Sequence, residues 1–126
     1  MFSHVMVGCN SPEEGRAFYD ATLGALGISG QPTPSGAFYN DGAGGMFGVG
    51  APRDGAPATH ANGGTIGFRA KDPAAVDAWH AAALANGGTC EGPPGRRDYG
   101  PQPMYGAYAR DAVGNKLCAF TTNVEG

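Results

Sequence analysis

The chain has 126 residues, a formal net charge of −3 and only 15% charged residues. That is enough length for one hydrophobic core, while its scattered Lys and Arg exclude the basic stripe that a nucleic-acid backbone requires. Three cysteines without CxxC spacing argue against a disulfide framework or a zinc knuckle. The opening MFSHVMVGCNSPEE has neither a basic n-region nor an apolar h-region, and no apolar run approaches the roughly 18 residues of a membrane span, so the sequence reads as a soluble, cytoplasmic single domain with no membrane partner.

Phe2 to Cys9 alternates as a short strand, with Val5 and Val7 on one side and His4 and Met6 on the other. Ser11, Pro12 and Glu14 then form a helix start, with an N-cap oxygen, proline at the first helical position and a capping box. Phe18, Tyr19, Thr22, Leu23 and Leu26 make the apolar stripe, and Gly27 ends the helix. Three short strands follow, near Ile28–Thr33, Ala37–Asn40 and Met46–Val49, with turn signals at Asp41-Gly42 and Gly44-Gly45. Residues 51–64 carry no apolar period and read as a linker between a first module, 1–50, and a second, 65–126.

The second module repeats the plan of the first. Pro12 and Pro73, Ala17 and Ala78, Ala21 and Ala82, Leu23 and Leu84, and Gly27 and Gly88 all stand 61 positions apart without a gap. Thr65 to Ala70 alternates as a strand, Asp72 caps a helix, and Val76, Trp79, His80, Ala83 and Leu84 form its stripe. A strand at Thr89–Glu91, a Pro/Gly/Arg loop from Gly92 to Pro103, a strand at Met104–Arg110, a turn at Asp111–Asn115 and a strand at Lys116–Thr121 complete a second βαβββ unit.

SHVMVGCN on the first strand, RAFYDATLGALGI on the first helix, the unit from Gly64 to Gly95, and RDAVGNKLCAF at the closing turn and strand together resemble the vicinal oxygen chelate superfamily of glyoxalases, bleomycin-resistance proteins and extradiol dioxygenases. The resemblance implies an α+β fold in which the two βαβββ modules form a curved, cupped mixed sheet of half-barrels around a cavity, with the helices outside. It also implies a divalent metal in that cavity, held by His or Gln on the first strand, His on the strand opening the second module, and Glu near the end of each meander. In this chain His4 holds the first of those positions, Thr65 stands where His is usual, Cys118 where Glu is expected, and Met46 and Gly48 at the first meander. His4 and Cys118 begin a metal site only if a third ligand comes from elsewhere, such as His60 or Tyr99. The expectation is therefore no cofactor, with zinc, nickel, manganese or iron in a non-standard site as the alternative.

Three functional readings stand side by side, and whether the chain is an enzyme stays open among them. The favoured one is a small-molecule-binding protein of the glyoxalase/bleomycin-resistance type without the usual catalytic metal, its ligand lined by His4, Met6, Thr65, Cys118, Phe120, Arg97 and Tyr105. The second is a glyoxalase-like metal-dependent lyase or related enzyme with His4 and Cys118 as metal ligands. The third is an interaction module whose sheet edges pair with another chain, as in a homodimer. His80 lies on an apolar stripe and reads as a packing residue with one hydrogen bond. The loop carrying Arg96, Arg97, Tyr99, Tyr105 and Tyr108 reads either as an edge that grips an anionic or aromatic molecule or as a rigid surface loop.

Overall fold

The computed structural model describes every residue from Met1 to Gly126. Ten elements follow in order: β1 (His4–Gly8), α1 (Pro12–Ala25), β2 (Ser29–Thr33), β3 (Gly36–Asn40), β4 (Met46–Gly50), β5 (Ile66–Arg69), α2 (Pro73–Ala85), β6 (Thr89–Arg97), β7 (Met104–Arg110) and β8 (Lys116–Thr121). They build an α+β fold of two βαβββ modules, each with its own four-stranded mixed sheet, ordered β1-β4-β3-β2 and β5-β8-β7-β6. In each sheet the first strand pairs parallel with the last, and the meander is antiparallel. Neither sheet closes into a barrel.

The helix signals act as the sequence predicts. Ser11 Oγ accepts the Glu14 N–H at 3.2 Å and Asp72 Oδ1 accepts the Ala75 N–H at 2.9 Å, so each helix begins with one of its free N–H groups satisfied. On α1 the buried arc is Gly15, Phe18, Tyr19, Thr22 and Leu23. On α2 it is Ala75, Val76, Trp79, His80 and Ala83, and Leu84, expected in that stripe, is instead 44% exposed. One residue past Ala83 is a further 100° round the helix, which carries Leu84 off the buried arc. Alanines 107, 109 and 119 on β7 and β8 leave room for α2, whose Trp79 is fully buried. Because α1 and α2 also pack on each other, the modules share one 17-residue core.

The expected loop after Glu91 is a second difference, since strand β6 continues to Arg97. Pro93 and Pro94 are tolerated because β6 is the edge of its sheet, where a missing N–H costs no ladder bond. Register shifts between Cys90 and Gly92 and between Gly92 and Gly95 absorb the irregularity as bulges.

The two modules are tied together at one turn. Asp111 is buried, and its Oδ1 accepts the backbone N–H groups of Val113, Gly114 and Asn115 at 3.1, 3.1 and 2.9 Å. Its Oδ2 accepts the Tyr19 hydroxyl of α1 at 2.6 Å and Asn115 Nδ2 at 2.8 Å. Asn115 Nδ2 also donates to Gly8 O on β1 at 3.4 Å. Gly114 adopts φ +104°, and a Cβ there would press on the His60 ring, so the linker lies directly over this turn.

Candidate functional site

Strand alternation divides each sheet into a helix-bearing face and an opposite face. Val5, Val7, Phe47, Ile66 and Phe68 belong to the core side. His4 and Met6 therefore lie on the opposite face of the first sheet, beside their register partners Met46 and Gly48. On the second sheet Gly67 pairs with Cys118, Cys118 with Tyr108, and Phe120 with Gly106, which places Cys118 and Phe120 on the corresponding opposite face. Arg97 pairs with Met104 in the same parity, and its guanidinium folds back over the bulge to donate to Pro93 O at 2.7 Å. Tyr108 stands edge-on to Phe120 at 5.5 Å between centroids, and Tyr99 approaches the same ring at 6.2 Å.

The structure thus brings Cys118, Phe120 and Arg97 onto one sheet face and adds Tyr99 and Tyr108 to them. His4 and Met6 lie on the neighbouring sheet, and Thr65 stands just before β5. Tyr105 is on the reverse side, where its hydroxyl donates to Asp77 Oδ1 on α2 at 2.6 Å. Period-two alternation back from Arg110, which pairs with Lys116, separates Tyr105 from Tyr108; reading the segment as one loop hid that distinction.

Separate hollows open around the module boundary, where the core-side rings of Phe47 and Phe68 meet at 5.2 Å and 81°. At one end a hollow of about 380 Å³ is lined by Phe2, His4, Val5, Ile28, Phe47 and Phe68 among others. The Ser3 hydroxyl and His4 Nδ1, 2.7 Å apart, form a hydrogen-bonded pair on its rim. At the other end Met6, Thr65 and Lys116 border a hollow of about 290 Å³. Next to it, His60, Arg110 and Lys116 line a polar hollow of about 250 Å³. Phe120 opens onto a fourth, with Arg69 and Met104. Cys118, Arg97 and Tyr105 line none of these four. Phe47 and Phe68 look inward to the core by alternation, so their place in the wall of the hollow beside His4 has no local signal in the sequence.

The family profile of the Glyoxalase/Bleomycin resistance protein/Dioxygenase superfamily matches residues 1–119. The chain belongs to this superfamily. Its fold is similar to that of a glyoxalase/bleomycin resistance protein from Albidiferax ferrireducens T118, with 54% identity, 96% of this chain and 98% of that one covered, and a TM-score of 0.90. A glyoxalase-related enzyme from Fulvimarina pelagi shares the fold at 16% identity and TM-score 0.73, over 96% of this chain and 87% of that one. A lactoylglutathione lyase from Agrobacterium tumefaciens does so at 20% identity and TM-score 0.65, over 96% and 92%. No curated protein matches the sequence. No helix is long and apolar enough to cross a membrane.

The superfamily implies a divalent metal, and the residues present do not fit one. No three His, Cys, Asp or Glu side chains converge anywhere in the chain, whereas a zinc site takes at least three protein ligands. Thr65, Met46 and Gly48 offer no imidazole or carboxylate. Burial pushes the Cys118 thiol up to about 11, which favours the protonated form over the thiolate that ligates metals. His60 packs on Gly114 and Tyr99 on Phe120.

Proposed function

We propose that this superfamily member binds a small organic molecule in the hollow beside His4, without a metal held by its own side chains. The observation that carries this reading is the hollow itself. Its volume of about 380 Å³ lies within the 300–1,000 Å³ of small-molecule sites. Its wall is built of Phe2, Val5, Ile28, Phe47 and Phe68, with Ser3, His4 and Asp41 as the polar groups, the combination that lets apolar contact supply affinity and a few polar atoms fix orientation. Titration with an anilinonaphthalene sulfonate dye tests it. Saturable binding at one dye per chain, weakened by Phe68→Ala and displaced by compounds from a metabolite set, is the expected result. Dye that stays dark, together with zinc-, nickel- or manganese-dependent turnover of the glutathione–methylglyoxal adduct that is lost in His4→Ala, would replace this reading with the lyase.

The same reading gives the open sheet faces to a second copy of the chain. Met6 and Met46 are 49% and 39% exposed on the face of the first sheet, an apolar surface that a homodimer would cover. Light scattering at the mass of one chain across a range of concentrations would count against that arrangement.

A further inference from the structure

A second chemical centre lies away from these hollows, where α2 meets the edge strand β6. Cys90 pairs with Ala109 in the last regular register before the first bulge, and its thiol is exposed at the rim of the sheet. His80, two turns into α2 and buried, places Nε2 3.2 Å from Cys90 Sγ. Asp77 stands one helical turn before His80, its carboxylate held by the Tyr105 hydroxyl at 2.6 Å.

The other two cysteines are in a different situation. Cys9 and Cys118 are buried, and burial raises both thiols above their ordinary value. Cys90 alone combines access to solvent with an imidazole in contact. Burial lowers the affinity of His80 for a proton more than Asp77 raises it, so at neutral pH the ring is uncharged, with Nε2 facing the Cys90 sulfur.

We propose that Cys90 and His80 form an activated thiol site that reacts with low-molecular-weight disulfides. In the step, His80 Nε2 takes the Sγ proton while Sγ attacks one sulfur of the disulfide. The S–S bond of the small molecule breaks, a bond forms between Cys90 and one half, and the other half leaves as a thiolate that takes the proton from the imidazolium. The products are a mixed disulfide on Cys90 and one free small thiol, and the small disulfide is the oxidant. Neither Cys9 nor Cys118 follows, because their sulfurs are enclosed and held protonated.

The folded protein is mixed with an aromatic disulfide that releases a coloured thiolate, and separately with glutathione disulfide, followed by intact mass and peptide mapping. One thiol per chain is expected to react quickly, mapped to Cys90 and absent in Cys90→Ser, with Cys9 and Cys118 reacting only after unfolding. Native Cys90 should react about tenfold faster than Cys90 in the urea-unfolded chain, a comparison that needs no variant. His80→Gln and His80→Asn, each checked for a native circular dichroism spectrum, should slow the reaction about tenfold or more. The proposal is overturned by label on Cys9 or Cys118 in the folded protein. It is equally overturned by native Cys90 reacting no faster than in the unfolded chain, or by a folded His80 variant that reacts at the wild-type rate. None of these outcomes bears on the hollow beside His4.

Discussion

The two modules carry the same helix on the same sheet, yet matched positions do different jobs in each. Tyr19 and His80 stand 61 positions apart in the repeat. Tyr19 sends its hydroxyl out of its own module to Asp111, whereas His80 turns to Cys90 on the edge strand of its own. Leu23 is fully buried and its counterpart Leu84 is 44% exposed. The turns before the last strands differ likewise. Asp41 makes one exposed hydrogen bond, to the Ala43 N–H at 2.7 Å, while buried Asp111 gathers five donors. Duplication supplies two equal frames, and the contact between modules then rests on side chains that only one copy possesses.

Replacing Asp111 gives the strongest test of that asymmetry. Asp111→Ala leaves the Tyr19 hydroxyl and three backbone N–H groups without their acceptor in a buried place, and is expected to destabilise by about 3 kcal/mol or more. Asp41→Ala, at the matching turn of the first module, removes one exposed bond and should stay within about 0.5 kcal/mol. Urea unfolding midpoints of the two variants decide it. Equal losses would mean that the turns are equivalent and that the Asp111–Tyr19 link does not hold the modules together.

A smaller effect of opposite sign is expected at Thr22. Its hydroxyl is buried with no hydrogen-bond partner, and the matching residue in the second helix is Ala83, which needs none. Thr22→Val keeps the branched shape and removes the unsatisfied group, so it should stabilise the protein by about 1 kcal/mol. Helix propensity is nearly the same for the two residues, which leaves the hydroxyl as the variable. Thermal unfolding of Thr22→Val beside Thr22→Ser reads it, and a Val variant less stable than wild type would show that the hydroxyl has a partner such as bound water.

The order of elements was legible from alternation, caps and the 61-residue repeat, because each is a local signal. Pro12, Pro73, Ser11 and Asp72 announce both helix starts in adjacent residues. The start of β6 was legible at Thr89–Glu91, but its continuation to Arg97 was not, since Pro93-Pro94 forbids a central strand and only the sheet order reveals that β6 is an edge. At the site, the face carrying His4, Met6, Cys118 and Phe120 follows from period two, and Tyr105 was misplaced because its strand was read together with the preceding loop. Tyr19 meets Asp111 across the two modules and His80 meets Cys90 from helix to edge strand within one; the sequence marked His80 and Tyr19 as packing residues and had no means of naming their partners.

The pH dependence of stability sharpens the comparison of Tyr19 with His80 most finely. Burial holds the His80 imidazole below its ordinary 6.5, against the opposite pull of Asp77. As pH falls through 6.5 the unfolded chain takes up the proton first, so it binds more protons than the native state and stability drops. The contribution is fully present above 6.5 and is lost as the pH falls toward the lower native value. Tyr19 has the reverse sign. Burial and the Asp111 carboxylate hold its phenol far above the ordinary 10.0, so the native state keeps the proton that the unfolded chain gives up, and stability drops as pH rises through 10. Urea midpoints across both ranges should therefore show an acid slope that His80→Gln flattens and an alkaline slope that Tyr19→Phe flattens. Each variant should leave the other slope unchanged, because the two side chains share no hydrogen-bond partner. An acid slope that persists unchanged in His80→Gln would mean that other groups carry it and that burial does not lower the proton affinity of the His80 imidazole in the folded protein.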